Sequence, residues 1–471
     1  MSYQLTFLYT DVFIDLIVIA FIVFFILMRK KLNIRMAWQR VFSSPFGMIA
    51  AVVLLSYTII GLLDSIHFHP RLQLENNSTV LYSSQVVSLL DILVRPLGEN
   101  EEQSYSAPFA LRSFTKTNLD VDAKPEEKYT RLKYGAVYLK DESQRLEDVF
   151  LKIAIAAAES ILFFVAAVVI CAYLLKRYHS ISFRAQFKKI YSGKTTIAWR
   201  EMLLTLGVII LMVFLAIQFA THYHILGTNK VGEDIFYESI KSIRTALIIG
   251  CVTTFFMLPF AILFGTLAGY LGGWVDDVIQ YVYTTLSSIP GVLLISASIL
   301  ALQIYISNHP ELFPNLAIWA DVRLLGLCII LGLTSWTTLC RLLRGETLKI
   351  RELDYVKAAR AMGVKHHRII STHILSNILH IIVITIVLDF SSLVLAEAIL
   401  SYVGVGVDPT TMSWGNMINS ARLELAREPV VWWPLTSAFV FMFGLVFAAN
   451  VFADKVRDAF DPRLKGVEQN A

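Results

Sequence analysis

The chain has 471 residues, 56% of them hydrophobic and only 17% charged, with a formal net charge of +4. A soluble domain carries about a quarter charged residues, so a water-soluble globular protein is excluded. The apolar excess falls in blocks long enough to cross a bilayer, which takes about 20 apolar residues each.

In chain order the apolar runs are 12–28, 46–66, 151–175, 202–220, 246–270, 278–306, 322–340, 378–400 and 433–453. They predict an all-α polytopic membrane protein with about nine transmembrane helices. The first run has no basic stretch before it and no small-residue cleavage site, and it ends in Arg29-Lys30-Lys31. It reads as an uncleaved anchor rather than a signal peptide. The cysteines Cys171, Cys251, Cys328 and Cys340 all lie in apolar runs, so they define no disulfide framework and no compartment.

Loop charge gives the orientation. Residues 29–40 carry Arg29, Lys30, Lys31, Arg35 and Arg40 without an acid. Residues 176–200 carry Lys176, Arg177, Arg184, Lys188, Lys189, Lys194 and Arg200, again without an acid. The loop 341–377 is strongly basic, whereas 307–321 has no Lys or Arg and 401–432 has only Arg422 and Arg427. This pattern places 29–45, 176–201, 271–277, 341–377 and 454–471 in the cytoplasm, with 67–150 and 401–432 outside. The N-terminus is expected outside and the C-terminus inside.

The chain therefore divides into two N-terminal spans (1–66), an outer region (67–150), two further spans around a basic loop (151–225), a core (226–455) and a cytoplasmic tail (456–471). The outer region reads as a small extracytoplasmic domain or as a partly disordered loop. Val86–Val94 has a helical pattern, and YGAVYLK at 134–140 alternates like a strand.

The stretch DYVKAARAMG (354–363) breaks the apolar rhythm of the core. Its apolar residues fall at helical spacing, its alanines leave one face flat, and its glycine ends the helix. A short basic helix held between two spans suits docking into a groove of a soluble partner. It also suits lying on lipid headgroups. AARAMG followed by HRIISTHILSN resembles the EAA loop of binding-protein-dependent ABC-importer permeases. LGTNKVGEDIF (226–236), LAGYLGGWVDDVI (267–279), SSIPGVLL (287–294), LSYVGVGVDPTTMSWGNMI (400–418) and VRDAFDPRLKG (456–466) resemble the dipeptide/oligopeptide/nickel branch in order and spacing, as does the opening RVFSSPFGMIAAVVLL (40–55). The subunit most resembled is the "C" type.

The resemblance implies a type I ABC importer permease core in a bacterial inner membrane. It implies a second permease subunit, two ATP-binding cassette ATPase subunits and an extracytoplasmic solute-binding protein as partners. It makes Tyr355, Lys357, Ala358, Ala359, Gly363 and Ile374 the expected ATPase-coupling residues. The solute would be a di- or oligopeptide, with nickel carried by the same branch. The chain departs from the family in having Lys357 where the family has Glu, Ser376 where Pro often follows HIL, and Gly232-Glu233-Asp234 for GRD. It also has an outer region and about three additional spans in its N-terminal half.

The remaining motifs are weaker. SGKTT (192–196) resembles the end of a phosphate-binding loop, but the required earlier glycine is Lys188 and no apolar strand precedes it. ATP hydrolysis is therefore expected on separate subunits, and the chain is not expected to be an enzyme or to bind a cofactor or nucleic acid. His67-x-His69 and His222-x-His224 suit metal chemistry in residue type, but interfacial histidine is the plainer reading, and no metal site is assigned. Asp15, Glu159 and Asp389 lie inside apolar runs, where an ionisable group is by default a functional candidate. Asp389 is the best candidate for a translocation path, with hydrogen bonding between helices as the alternative. Pro290-Gly291 is expected to kink a span beside a cavity. Trp432 and Trp433 read as interfacial anchors. Asn77-Ser78-Thr79 fits a sequon without functional weight here. The competing functions are a stand-alone secondary transporter or channel, which calls for repeats that the sequence lacks, and a membrane enzyme, which calls for clustered catalytic groups.

Overall fold

The computed structural model describes residues 3–28, 32–72, 81–83, 85–121, 124–139, 142–179, 183–193, 195–313 and 315–460. Arg29-Lys30-Lys31, the sequon at Asn77, Lys140, Lys194 and the part of the closing motif beyond 460 lie outside the described residues. The helices are α1 (Tyr9–Met28), α2 (Leu32–Ser43), α3 (Pro45–Asp64), α4 (Leu89–Leu93), α5 (Arg95–Glu99), α6 (Arg145–His179), α7 (Phe183–Tyr191), α8 (Trp199–Ala220) and α9 (Ile235–Leu271). They continue as α10 (Gly273–Ser288), α11 (Gly291–Asn308), α12 (Leu316–Arg351), α13 (Asp354–Ala361), α14 (His366–Ile369), α15 (Leu375–Tyr402), α16 (Trp414–Glu424) and α17 (Trp433–Phe460). Short strands β1 (Tyr3–Thr6), β2 (His67–Leu72), β3 (Leu81–Tyr82) and β4 (Val87–Ser88) form one small sheet around β2, and β5 (Thr117–Val121) pairs with β6 (Lys124–Lys128).

Eight helices among the described residues are long and apolar enough to cross a membrane. With the 20-residue apolar α1 they account for the runs read in the sequence. The run 278–306 is built from two pieces. The helix stops at Ser288, the chain is extended through Ile289 and Pro290, and α11 begins at Gly291. Proline cannot continue the hydrogen-bond ladder, so the kink read from Pro290-Gly291 is a full break.

The core is organised by α9 and α12, 37 and 36 residues long. At 1.5 Å per residue each exceeds the bilayer's hydrocarbon thickness of about 30 Å and projects beyond it. They pack in parallel, with small residues at the contact. A Cβ on Gly265 would stand 2.8 Å from the Cys340 carbonyl oxygen, and one on Gly269 would stand 2.6 Å from Thr347 Cβ. Helix backbones in membranes approach this closely through small residues spaced four apart, because lipid offers no hydrophobic drive for association. On α12, Gly332 packs in the same way near the Thr253 carbonyl.

Charge fastens the N-terminal segments to this pair. Arg244 on α9 donates to Asp11 of α1 at 2.7 Å, and Asp11 also meets His67 Nδ1 of β2 at 2.7 Å. Thr10 hydrogen-bonds Asp321 of α12 through its hydroxyl and, at 3.2 Å, its amide. Lys241 bridges Asp64 of α3 at 2.6 Å and Asp91 of α4 at 2.9 Å. Buried charges persist only when paired, and here the Arg244 and Lys241 pairs join peripheral elements to α9, while the Asp11–His67 contact joins α1 to β2. The other addition, the α6–α8 hairpin, is joined internally by Gln218 Nε2 donating to Glu159 at 2.9 Å, which gives Glu159 the structural role.

The region 67–150 is knitted to 226–236, the stretch preceding α9. Ser106 N donates to Thr228 Oγ1 at 2.7 Å, and Trp433 Nε1 donates to the Thr228 carbonyl at 3.0 Å. Asp234 caps α9 by accepting from Phe236 N at 2.8 Å. Within Val86–Val94, Ser88 and Asp91 form a reciprocal capping box that starts α4. Over the described residues 134–139 the strand read at 134–140 does not form. Ala136 takes a positive φ of 40° and the chain reverses there, with its amide donating to the His222 carbonyl at 2.7 Å. Ala136 and Leu139, three residues apart, share one apolar cluster with Phe219 and Tyr223, while Val137 and Tyr138 between them are exposed, so burial does not alternate as in a strand. Trp433, expected at the lipid interface, is buried by the Thr228 contact, while its neighbour Trp432 is exposed.

His224 lies at the centre of this joint. Its Nδ1 is 2.8 Å from Asp234 Oδ2 and its Nε2 is 3.5 Å from Glu102 Oε1, with all three side chains buried. Burial disfavours the imidazolium, but the hydrogen bond to Asp234 and the two carboxylate charges outweigh it, raising its pKa to about 9. A folded pKa above the unfolded value of about 6.5 means the stabilisation is complete below that pH and is lost as pH rises through about 9. It amounts to roughly 3 kcal/mol at full protonation. Thermal unfolding in detergent at about pH 7 and about pH 10 should show a drop for the native chain that is largely abolished in His224→Gln. An equal drop in both would assign the pH dependence to other groups.

Candidate functional site

The long α12 ends in two clamps. Arg344 makes a bidentate pair with Asp276 in the first turn of α10, at 2.5 and 2.6 Å. Arg351 Nη1 donates to the Gly269 carbonyl at 3.2 Å, on the last turn of α9. The ends of three helices are thereby held together just before the chain turns into α13.

The α13 sequence favours a helix throughout. Asp354 in the first turn and Arg360 in the last complement the helix dipole, and the alanines between them are the strongest helix formers. The end is a Schellman arrangement. Gly363 N donates to the Arg360 carbonyl at 3.0 Å and Val364 N to the Ala359 carbonyl at 3.1 Å, with Gly363 at φ 76°. A side chain at Gly363 would be strained in that conformation.

The helix is two-faced. Val356 and Ala359 are buried, in one apolar cluster with Tyr270 of α9, Tyr283 of α10 and Trp336 of α12. Burying Val356 alone contributes roughly 1.5–3 kcal/mol. On the other side Tyr355, Lys357, Ala358 and Met362 are exposed, Met362 by 76%. The return limb is fixed as well. His366 Nδ1 pairs with the Tyr270 hydroxyl at 2.9 Å, and Ile369 and Ile374 are buried in the same cluster. Over Ile370–Ile374 the helix widens, with Leu375 N bonding five residues back to Ile370; such bulges cluster at functional sites. Tyr355 accepts a hydrogen bond from Asn377 Nδ2 at 3.0 Å, tying α13 to the start of α15.

The expected coupling residues thus divide. Tyr355, Lys357 and Ala358 present a surface, and Gly363 sets the turn. Ala359 and Ile374 face inward and anchor the helix; a side chain spaced three residues from Val356 shares its buried face. Lys357 Nζ is 3.1 Å from Glu352 Oε2 on the exposed side, an intrachain pair that its replacement of Glu makes possible. The same contact holds the Glu352 carboxyl below its usual range.

The residues expected on a path are not gathered in one contact. Asp389 on α15 is half-buried, and no hydrogen bond or ion pair reaches its carboxylate among the described residues. Its neighbour Ser392 donates to the Asp389 carbonyl at 2.8 Å, and the buried hydroxyl of Ser391 has no hydrogen-bond partner among the described residues. Pro290 and Gly291 are exposed at the α10–α11 break, with open space around Gly291. The histidine pairs are split between separate partners: His69 meets the Gln85 carbonyl and His222 stacks edge-on against Tyr138. The glycine contacts of α9 and α12 were missed in the sequence, although Gly265-x-x-x-Gly269 was a readable signal for them.

The two long parallel helices α9 and α12 carry the short surface helix α13 at their shared end, between two spans. Residues 261–466 match the family described as binding-protein-dependent transport system inner membrane component. The oligopeptide transport system permease protein OppC of Mycobacterium tuberculosis is 30% identical over 246 residues, covering 52% of this chain and 78% of that protein. A putative peptide permease protein of Brucella suis is 31% identical over 242 residues, covering 51% and 73%. OppC of Bacillus subtilis is 28% identical over 242 residues, covering 51% and 72%. The chain belongs to this family of permease subunits. The family match begins well after the N-terminal additions.

The two faces of α13 make different demands. Ala359→Leu forces three methyl-sized groups into a filled cluster and should destabilise the isolated subunit by about 1–3 kcal/mol. Ala358→Leu should change the midpoint of thermal unfolding in detergent little. Equal effects at the two positions would contradict the two-faced geometry.

Proposed function

We propose that the chain is the membrane permease of an ATP-driven importer of di- or oligopeptides, in which α13 is the surface that receives the ATPase. The observation that carries this reading is the division of α13 between an anchored face and a small-residue face open to solvent. Val356 and Ala359 tie it to α9, α10 and α12, so a push on its outer face moves the cytoplasmic ends of all three. ATP hydrolysis belongs to two separate subunits. A second permease completes the pathway, and Asp389 and the Pro290-Gly291 break contribute to it. Alternating access then arises by rocking of packed helices between two arrangements.

The peptide substrate is supported by the names of the relatives, which are oligopeptide or peptide permeases. We assign the α13 side to the cytoplasm on its basic loops, with 67–150 outside as a unit that helps to receive the solute-binding protein. The domain layout we propose is two N-terminal spans (1–66), two further spans around a basic loop (151–225), the permease core (226–455) and a cytoplasmic tail (456–471). Lys357 faces an acidic group on the ATPase, its exposed pair with Glu352 being easily exchanged because surface ion pairs hold weakly.

The tagged chain, drawn from native membrane in mild detergent, should bring a second permease and ATPase subunits with it. Reconstituted with them, it should take up labelled peptide rather than nickel. Lys357→Glu should lower coupled ATPase activity at least about tenfold, the loss of roughly 1.4 kcal/mol at the contact. A chain that purifies alone and transports unaided would replace this reading with a stand-alone transporter.

A further inference from the structure

The added hairpin carries at its basic end a short helix that the permease reading does not use. α7 runs FRAQFKKIY and lies between two spans, α6 ending at His179 and α8 starting at Trp199. Ile190 is buried, packing with Ala172, Leu175 and Leu203 of the hairpin. Among the described side chains of α7, this contact sets which way the helix faces. Phe187 and Tyr191, one turn apart, are exposed by 46% and 78%, and the lysines are exposed too, Lys188 flanking Tyr191 and Lys189 on the far side of the helix. Among the described residues no acidic side chain pairs with either lysine. The stretch 176–200 holds seven basic residues and no acid. The Ala198 amide donates to the Phe42 carbonyl at 3.0 Å, so this loop lies level with the end of α2. The same α2 packs against the C-terminal end of α17 through Trp38, Val41 and Phe460.

From this arrangement we infer that α7 is a seat for anionic lipid, with Phe187 and Tyr191 in the headgroup layer and Lys188 and Lys189 on the phosphates. Two spans only a few residues away hold the helix at the bilayer surface, so lipid is always in reach. Exposed aromatics together with exposed lysines match a layer that is apolar below and negative above. Each basic side chain near an anionic surface strengthens binding about fivefold. A seated α7 would steady the hairpin, whose packing on the core runs through α3 and α8.

The test uses the full chain in nanodiscs of phosphatidylcholine alone or of phosphatidylcholine with phosphatidylglycerol, read by amide hydrogen exchange across 183–193. Exchange there should slow about tenfold or more with phosphatidylglycerol. Lys188→Gln with Lys189→Gln should remove most of that protection, as should high salt. Exchange within α6 and α8 reports whether the variant keeps its fold. Equal exchange in both discs overturns the proposal. So does equal slowing by inorganic phosphate, which would make this a small-anion site. Protection seen only when ATPase subunits are bound would overturn it in favour of a protein contact. None of these readouts depends on transport, so this inference stands or falls separately from the peptide importer.

Discussion

The direct contact of α9 with α12 through Gly265 and Gly269 is the constraint on which the rest of this structure depends. With a side chain at either position the two backbones would separate, and the cluster around Trp336 and Tyr270 would lose its walls. Membrane helices gain nothing from hiding apolar surface from lipid, so their association relies on close packing and polar contacts. The contact therefore fixes two helices in parallel and in register over more than their membrane depth. Everything at the C-terminal ends of the two helices inherits that register. Arg344 reaches Asp276, Arg351 reaches the end of α9, and α13 finds a ready socket for Val356 and Ala359. The surface helix is thus an extension of the packed pair rather than a loop beside it.

The N-terminal additions are held by different physics. Asp11, Asp64 and Asp91 each meet a cation on α9, and Thr10 meets Asp321 on α12. Removing one partner from such a pair leaves a buried charge and is far more damaging than the pair is stabilising. The added elements are consequently committed to one docking position. The His224 joint does the same for the region 67–150 and 226–236, but through a group that titrates.

Much of this was legible in the sequence. The nine apolar runs appear as helices because length and composition alone suffice for a span. The end of α13 at Gly363 was readable because a left-handed residue after a helix favours glycine. Tyr355, Ala358, Ala359 and Ile374 came together as coupling residues only through the family resemblance, which does not separate outward from inward side chains. For Ala359 the separating signal was its spacing of three residues from Val356. YGAVYLK was misleading because Ala136 and Leu139 both serve one packing surface across a chain reversal. Trp433 was misleading because a tryptophan at a span's edge suits the interface equally well, and its hydrogen bond to Thr228 joins residues far apart in the chain. The charge network was invisible for the same reason: nothing local links Asp11 to Arg244.

The central claim is that α13 moves as one body with α12. A direct measurement places spin labels at Arg360→Cys on α13 and Leu342→Cys on the exposed side of α12, in a background lacking the partly accessible Cys171 and Cys251. The distance distribution is then recorded in the assembled transporter with and without ATP. The account predicts a single narrow distance that is the same in both states, while hydrolysis proceeds. A distance that shifts or broadens with ATP would show α13 swinging free of its socket, and the lever would have to lie elsewhere in the chain.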